Sequence, residues 1–302
     1  MKKVVMFLLS CMLMVSLTGC GNVTVGSLID DANKKAENAK SMSMTVKLDM
    51  DIEIAMEVIS GQPFDMNMKI GGDMKVDAIA DGTQTSMKGS MNIDGMGMSN
   101  TIDMESYTVM EDNEINVYTK TEDQWTKMSQ EVGGVSSLTD TYRSIIGIKD
   151  GFVLGEKTEK INDKDVYLVI GEIKGDDIKK ILETNDTTRE LLKGVDEAGI
   201  DFDKFSVNVN MWFDKKSKEL IKMDGEAAKT MENMMSEIIS KVSESTGQAM
   251  SIKVNKFNVE MNDIEHNKVK EIKIPDEAKD AQVIENGDSA NPISDIFGGF
   301  LK

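Results

Sequence analysis

The chain has 302 residues, with 53 acidic against 35 basic side chains and a formal net charge of −18. Charge of that sign repels phosphate backbones and anionic headgroups, which argues against nucleic-acid binding and against a peripheral electrostatic mode on membranes. Two cysteines are too few for a disulfide framework or a zinc cluster, so the fold must stand on its hydrophobic core.

Lys2 and Lys3 precede an apolar run over 4–17, and Leu17-Thr18-Gly19-Cys20 follows. That order predicts a secretory signal peptide over 1–19, and its last four residues resemble the lipobox of bacterial prolipoproteins. A transmembrane anchor needs roughly 20 apolar residues. This run is shorter and is interrupted by Ser10, Cys11 and Ser16. The resemblance implies that Cys20 carries a diacylglyceryl group and becomes the mature N-terminus, with palmitate-type chains holding the protein on the extracytoplasmic face of the cell membrane. Two acyl chains hold firmly where one is marginal. Removal of 1–19 takes Cys11, Lys2 and Lys3 with it, so the net charge becomes −20 and no free thiol remains.

Residues 20–26 read as the lipidated cysteine and a short linker, and six extended residues reach at most ~20 Å. Ser27 is placed to cap a short helix with Leu28, Ala32, Ala36 and Ala39 on one stripe. From 42 to 58 every even position is apolar or small, which predicts a long half-buried strand. A second strand follows over 64–78 on the same parity, after a turn at 60–63. Asp81-Gly82 marks a hairpin. The third strand alternates through Met87, Met91 and Ile93, and the fourth through Met98, Ile102 and Met104. Tyr107 and Val109 then fall on the opposite parity, which predicts a bulge or break near Ser106.

Shorter strands are expected over 115–119 and 125–128, a helix over 138–146, and a hairpin of 152–160 with 166–173. Residues 178–182 and 191–195 read as helical, and 205–213 pairs with 219–223 across Asp214-Lys215-Lys216-Ser217. An amphipathic helix covers 227–242. Two last strands are expected over 252–261 and 268–274, and 282–302 reads as a flexible tail with an apolar tip at Ile293, Phe297 and Phe300. The predicted class is α+β: one large curved antiparallel sheet, a half-barrel of about a dozen strands, with helices packed in its concave face over 27–281.

A short helix after the lipidated cysteine, long meandering strands, Trp125-Thr126-Lys127-Met128, Trp212-Phe213-Asp214-Lys215-Lys216 and Ile272-Lys273-Ile274-Pro275-Asp276-Glu277-Ala278 together resemble the LolA/LppX-like lipoproteins and their uncharacterised Gram-positive relatives. The resemblance implies a half-barrel closed by helices over an apolar cavity, and its characterised members carry lipids or lipoproteins.

Methionine is the compositional oddity, with 13 of 25 between Met42 and Met110. Unbranched thioethers fill irregular cores, and they also repack around variable apolar ligands. On the second reading the candidate cavity lining is Met44, Leu48, Met50, Ile52, Met66, Met68, Ile70 and Met74 on the strands, with Met231 and Met235 on the covering helix. Met44, Met50 and Met66 share a face, but copper(I) sites recruit His or Cys as well, so no metal site is expected. His266, the only histidine, reads as a solvated turn residue. No nucleophile elbow, zinc helix or phosphate loop is present, so neither catalysis nor a cofactor is expected. The expected function is non-catalytic binding of an apolar ligand, a lipid or lipidated partner, in the concavity of the sheet. The alternative is a surface interaction or structural lipoprotein whose concavity is filled by its own helices. No protein partner is named by these residues.

Overall fold

The structure is a computed structural model that describes residues 23–57, 63–79, 83–95, 97–111, 114–121, 124–131, 138–156, 159–183, 201–246 and 249–284. The signal peptide expected over 1–19 and Cys20 lie outside these residues, as do the turn residues 60–62, Asp81-Gly82, the helix expected over 191–195 and the tail expected from Glu285.

Among the described residues, thirteen strands form one open sheet, with β1 Ser41–Glu57, β2 Pro63–Ile79, β3 Gln84–Gly95, β4 Met98–Glu111, β5 Glu114–Thr121 and β6 Gln124–Glu131 as a meander. β7 Phe152–Leu154, β8 Glu159–Ile161, β9 Lys164–Lys174, β10 Ser206–Asp214, β11 Leu220–Glu226, β12 Met250–His266 and β13 Gln282–Ile284 complete it. The order is β13-β6-β5-β4-β3-β2-β1-β12-β11-β10-β9-β7, with β8 also paired to β9. Every pairing is antiparallel except β13 with β6. The helices are α1 Val25–Asn38, α2 Leu138–Ile146, α3 Gly175–Glu183, α4 Ala228–Thr246 and α5 Asp276–Lys279. The expected class, a curved, mostly antiparallel sheet with helices, is the observed one.

Helix α1 starts one turn earlier than Ser27 suggested. Thr24 is the cap, and Ser27 completes a capping box: the Ser27 amide donates to Thr24 Oγ1 and the Thr24 amide to Ser27 Oγ. Reciprocal satisfaction of two orphan amides is what fixes a helix start. Leu28, Ile29, Ala32 and Ala36 are then buried in the main core with Met42, Met44, Tyr142, Ile146, Met211, Phe213 and Leu220. Met50, Ile52, Ile54, Met66, Ile252 and Val254 gather at the other end of the long strands, where α4 packs on them through Ala228, Met231, Met235 and Ile239.

The bulge predicted near Ser106 is absent. β4 runs in unbroken register against β3 from Met98 to Val109 and against β5 from Met104 to Glu111. Tyr107 and Val109 are apolar on the outer face because that face is covered there. Residues 268–281 cross it and bury Ile272 and Ala278 against Tyr107 and Tyr118, with Trp125 beside them. Burial of one such isoleucine stabilises by roughly 1.5–3 kcal/mol. The strand predicted over 268–274 is therefore an extended crossing segment with no ladder of its own. It is fixed by Val269 N–H to Ser41 Oγ and Asn267 N–H to the Ser41 carbonyl. The first three residues of the predicted tail form β13 at the sheet edge.

The bulges lie in β12 instead. Its register against β1 shifts between Ser43 and Thr45 and between Asp51 and Ile52. Ile252 and Val254 thus share the concave face with Phe257, Val259 and Met261 despite opposite parity.

His266 is not a solvated turn residue. It ends β12 with its ring half-buried 6.2 Å from the Tyr142 ring. The Tyr142 hydroxyl and both imidazole nitrogens are buried without a hydrogen-bond partner among the described residues. Burial holds the imidazole below its ordinary pKa; Glu219 pulls it upward and Lys35 reinforces the depression. The unfolded chain consequently takes up a proton first. The contribution of a neutral His266 is complete above the unfolded value, about pH 6.5, and is lost as pH falls through the lower folded value. Urea midpoints measured at pH 7.5 and 5.5 should fall in wild type and fall less in His266→Phe. Equal falls would contradict the assignment.

Candidate functional site

The concave face is a grid of apolar side chains set by strand register. One row runs Val209, Gly225, Val259, Leu48, Gly72, Met91, Ile102. The next runs Met211, Met223, Met261, Val46, Met74, Gly89, Met104. Three of these positions are glycine: at Gly72 and Gly89 the backbone of the paired strand fills the place of a Cβ, whereas at Gly225 a Cβ would meet nothing closer than Val207 Cγ1 at 3.5 Å and the face is hollowed. A third row, Phe257, Met50, Ile70, Ile93, leads towards the end covered by α4.

Between the helices and the first two rows lies an apolar pocket of about 200 Å³. Its roof is Ile145 of α2 with Ile178, Ile181 and Leu182 of α3. Its floor comes from Ile173, Val207, Val209, Met223, Gly225, Val259 and Met261. Asp224 is the one ionisable residue in its wall. By alternation that carboxylate belongs to the outer face, where Asn210 Nδ2 donates to it at 2.7 Å. Burial pushes the Asp224 carboxyl above its ordinary range, opposed by the Asn210 bond and by Lys222. The pocket itself has no group positioned to orient a charge, and its selectivity rests on shape and apolarity.

The strands that build it carry their pattern plainly: Val207, Val209, Met211 and Phe213 alternate inward on β10. On α3, Ile178, Ile181 and Leu182 recur at helical spacing, and Gly175 lets the chain pass close to Phe202, since a Cβ there would lie 1.7 Å from the Phe202 carbonyl oxygen. Phe202 and Phe205 stack edge to face at 5.6 Å and pack with Ile178 and Leu182 of α3.

The residues proposed from sequence as cavity lining separate into groups. Met50, Ile52, Met66, Met231 and Met235 meet in one packed cluster beneath α4. Met44 lies in the main core at 2% exposure. Met68 and Ile70 are buried on the same face of β2, while Leu48 and Met74 stay half-buried in the two rows that run into the pocket. The pocket walls were not among the expected residues. Each wall element was legible, but its place opposite α3 depends on β12 joining β1 to β11, a long-range pairing that alternation alone does not specify. Among the described residues, no cluster of three or more His, Cys, Asp or Glu is placed to hold a metal, and no helix is long and apolar enough to cross a membrane.

Solved structures to which the chain is similar include LprF from Mycobacterium bovis, at 12% identity, covering 84% of this chain and 97% of that one with a TM-score of 0.41. A LolA superfamily protein from Nitrosomonas europaea is also 12% identical, covering 84% and 96% with a TM-score of 0.20. A beta-barrel-like protein of the DUF1849 family from Brucella abortus is 11% identical, covering 75% and 99% with a TM-score of 0.22. No curated protein matches the sequence. The family of unknown function DUF6612 matches residues 24–283, and the chain belongs to that family.

Proposed function

We propose that this protein is an extracytoplasmic lipoprotein, anchored through lipid on Cys20, that binds an apolar ligand in the concave face without catalysing a reaction. The ligand is a lipid or the acyl part of a lipidated partner. The observation that carries the reading is the pocket between α2, α3 and β10–β12, whose lining side chains are apolar save one. Its 200 Å³ falls below the roughly 300–1,000 Å³ of sites that engulf a drug-sized ligand. The occupant therefore inserts one end, and its remainder lies along the half-buried rows through Leu48 and Met74. Methionines on those rows suit a chain of variable length, because thioethers repack at little cost.

Gly225 supplies the test. A Cβ there would meet Val207 Cγ1 at 3.5 Å, an ordinary contact, so a side chain leaves Gly225 without a clash at its first carbon and Gly225→Leu extends into the hollow. The chain from Gly21 onward, free of detergent, is titrated with an environment-sensitive apolar dye. Saturable emission, displaced by oleate and weakened about tenfold in Gly225→Leu at unchanged melting temperature, is the expected result; tenfold corresponds to about 1.4 kcal/mol. No dye binding in wild type would instead favour the filled-core reading, for which the close packing of α4 on β1, β2 and β12 is the supporting observation.

A further inference from the structure

The outer face of the sheet carries a second cleft, of about 570 Å³, on the side opposite the apolar pocket. Its floor is one stretch of ladder: Trp212 on β10, Lys222 on β11, Glu260 and Asn262 on β12, and Thr45 and Lys47 on β1. Its roof is the β8–β9 hairpin. Asn162 and Asp163 both have positive φ, 50° and 62°, and join Ile161 to Lys164 in a two-residue turn of the tight hairpin kind. The hairpin tip reaches back over the sheet, and Asn162 Nδ2 donates to Asp263 Oδ1 at 2.9 Å. Asp263 has φ 52° at the β12 bulge, which turns its carboxylate towards that tip. The roof is thus tied down at its far end, three strands from where it starts.

Two features identify what such a cleft takes. First, its charges balance. Lys47, Lys160 and Lys222 face Glu159, Glu260 and Asp263, in a chain whose net charge is −18. The cleft itself favours neither sign of charge, and the field of the whole protein repels an anion. Second, the polar groups hold one another in place while keeping capacity to spare. Trp212 Nε1 donates to Glu159 Oε2 at 3.0 Å, and Asn262 Nδ2 donates to Glu260 Oε2 at 3.3 Å. Lys222 Nζ donates to Glu260 Oε2 at 3.4 Å and lies 5.0 Å from the centroid of the Trp212 ring. A carboxylate accepts about four bonds and an ammonium donates three, so each has sites left for a ligand that both donates and accepts at closely spaced points. Vicinal hydroxyl groups do this without charge.

We propose that this outer cleft binds a neutral oligosaccharide segment, with Glu260, Asn262 and Lys47 as its hydrogen-bonding floor and Trp212, buried beneath Lys222, closing that floor at the β10 end. The site stands apart from the apolar pocket, and neither reading depends on the other.

Trp125 and Trp212 are the two tryptophans, so Trp125→Phe leaves Trp212 as the sole reporter on the cleft. In that background, emission is followed during titration with maltotetraose, cellotetraose and chitotetraose to millimolar concentration. At least one should give a saturable change, weakened about tenfold by Glu260→Gln with Asn262→Ala. Lys47→Ala is the second variant, at a side chain 48% exposed and 3.6 Å from Asp73 Oδ2; it should weaken the same sugar several-fold. Saturation-transfer NMR on the unaltered protein gives an independent reading, with signal expected on the sugar ring protons. Absence of both the emission change and saturation transfer for all three sugars would overturn the proposal. So would a response that persists undiminished in the folded variants.

Discussion

Gly89→Ala and Gly72→Ala are each expected to destabilise the protein by roughly 1–3 kcal/mol, while Gly71→Ala should change stability by less than about 0.5 kcal/mol. A Cβ on Gly89 would lie 2.0 Å from the Asp73 carbonyl oxygen and 2.8 Å from Met74 Cα. A Cβ on Gly72 would lie 2.3 Å from the Ser90 carbonyl oxygen. All three contacts are with backbone, so relief requires moving β2 against β3 rather than rotating a side chain. Met74 faces Gly89 and Gly72 faces Met91 in the register, so the two glycines mark one crease where the sheet curls over its concave side. Gly71 points the other way, and a Cβ there would meet only the Leu48 carbonyl oxygen, at 3.6 Å. Urea unfolding of the three variants checks this directly. Equal midpoints for Gly71→Ala and Gly72→Ala would show that the crease does not shape the sheet.

Phe213→Ala should cost about 3–5 kcal/mol, the largest loss expected from one substitution here. Phe213 is fully buried on β10, cross-strand from Leu220 and Tyr167. It sits in the cluster that joins α1 and α2 to β9–β11. Its surroundings are held on several sides: Asp214 accepts from the Lys216 and Ser217 amides in the adjoining turn, and Lys35 of α1 donates to the Ser217 carbonyl. A site so constrained collapses poorly, which puts the cost at the upper end of the range. Met231→Ala offers the contrast. Met231 is half-buried on the face of α4 that packs on β1, β2 and β12, so its truncation should cost about 1–2 kcal/mol. Thermal unfolding of both variants, with melting temperatures lowered in that order, is the check; the reverse order would mean that α4, not the α1–α2 core, dominates stability.

Local pattern was legible wherever one physical cause acted on one face. Nine even positions from Met42 to Val58 placed β1, and the apolar stripe on residues 227–242 placed α4. Parity slips were harder, because two causes produce the same signal. At Tyr107 the slip reflects a second covered face, since residues 268–281 pack there. Between Val254 and Phe257, and between Met261 and Ile264, it reflects bulges that keep one face inward. Telling them apart requires knowing what lies above the outer face, a long-range fact. The same limit explains the pocket. Ile178, Val209 and Met261 each carried a readable period, but their convergence follows from the order β1-β12-β11-β10. The methionine face drew attention to β1 and β2, whereas α4 covers one end of those strands and α1 and α2 cover the other. His266 was misread for a similar reason. Its turn-like neighbours Asn267 and Asp263 do have positive φ, but α2 brings Tyr142 against the ring from a hundred residues away.

On the proposed function, the hollow beneath α2 and α3 holds an apolar molecule. Native mass spectrometry of the chain from Gly21, expressed in bacteria and purified without detergent, tests it most directly. The expected result is a population carrying an apolar adduct in about one-to-one ratio, released on denaturation and absent from Gly225→Leu. A bare polypeptide mass in wild type, unchanged after incubation with oleate, would contradict it.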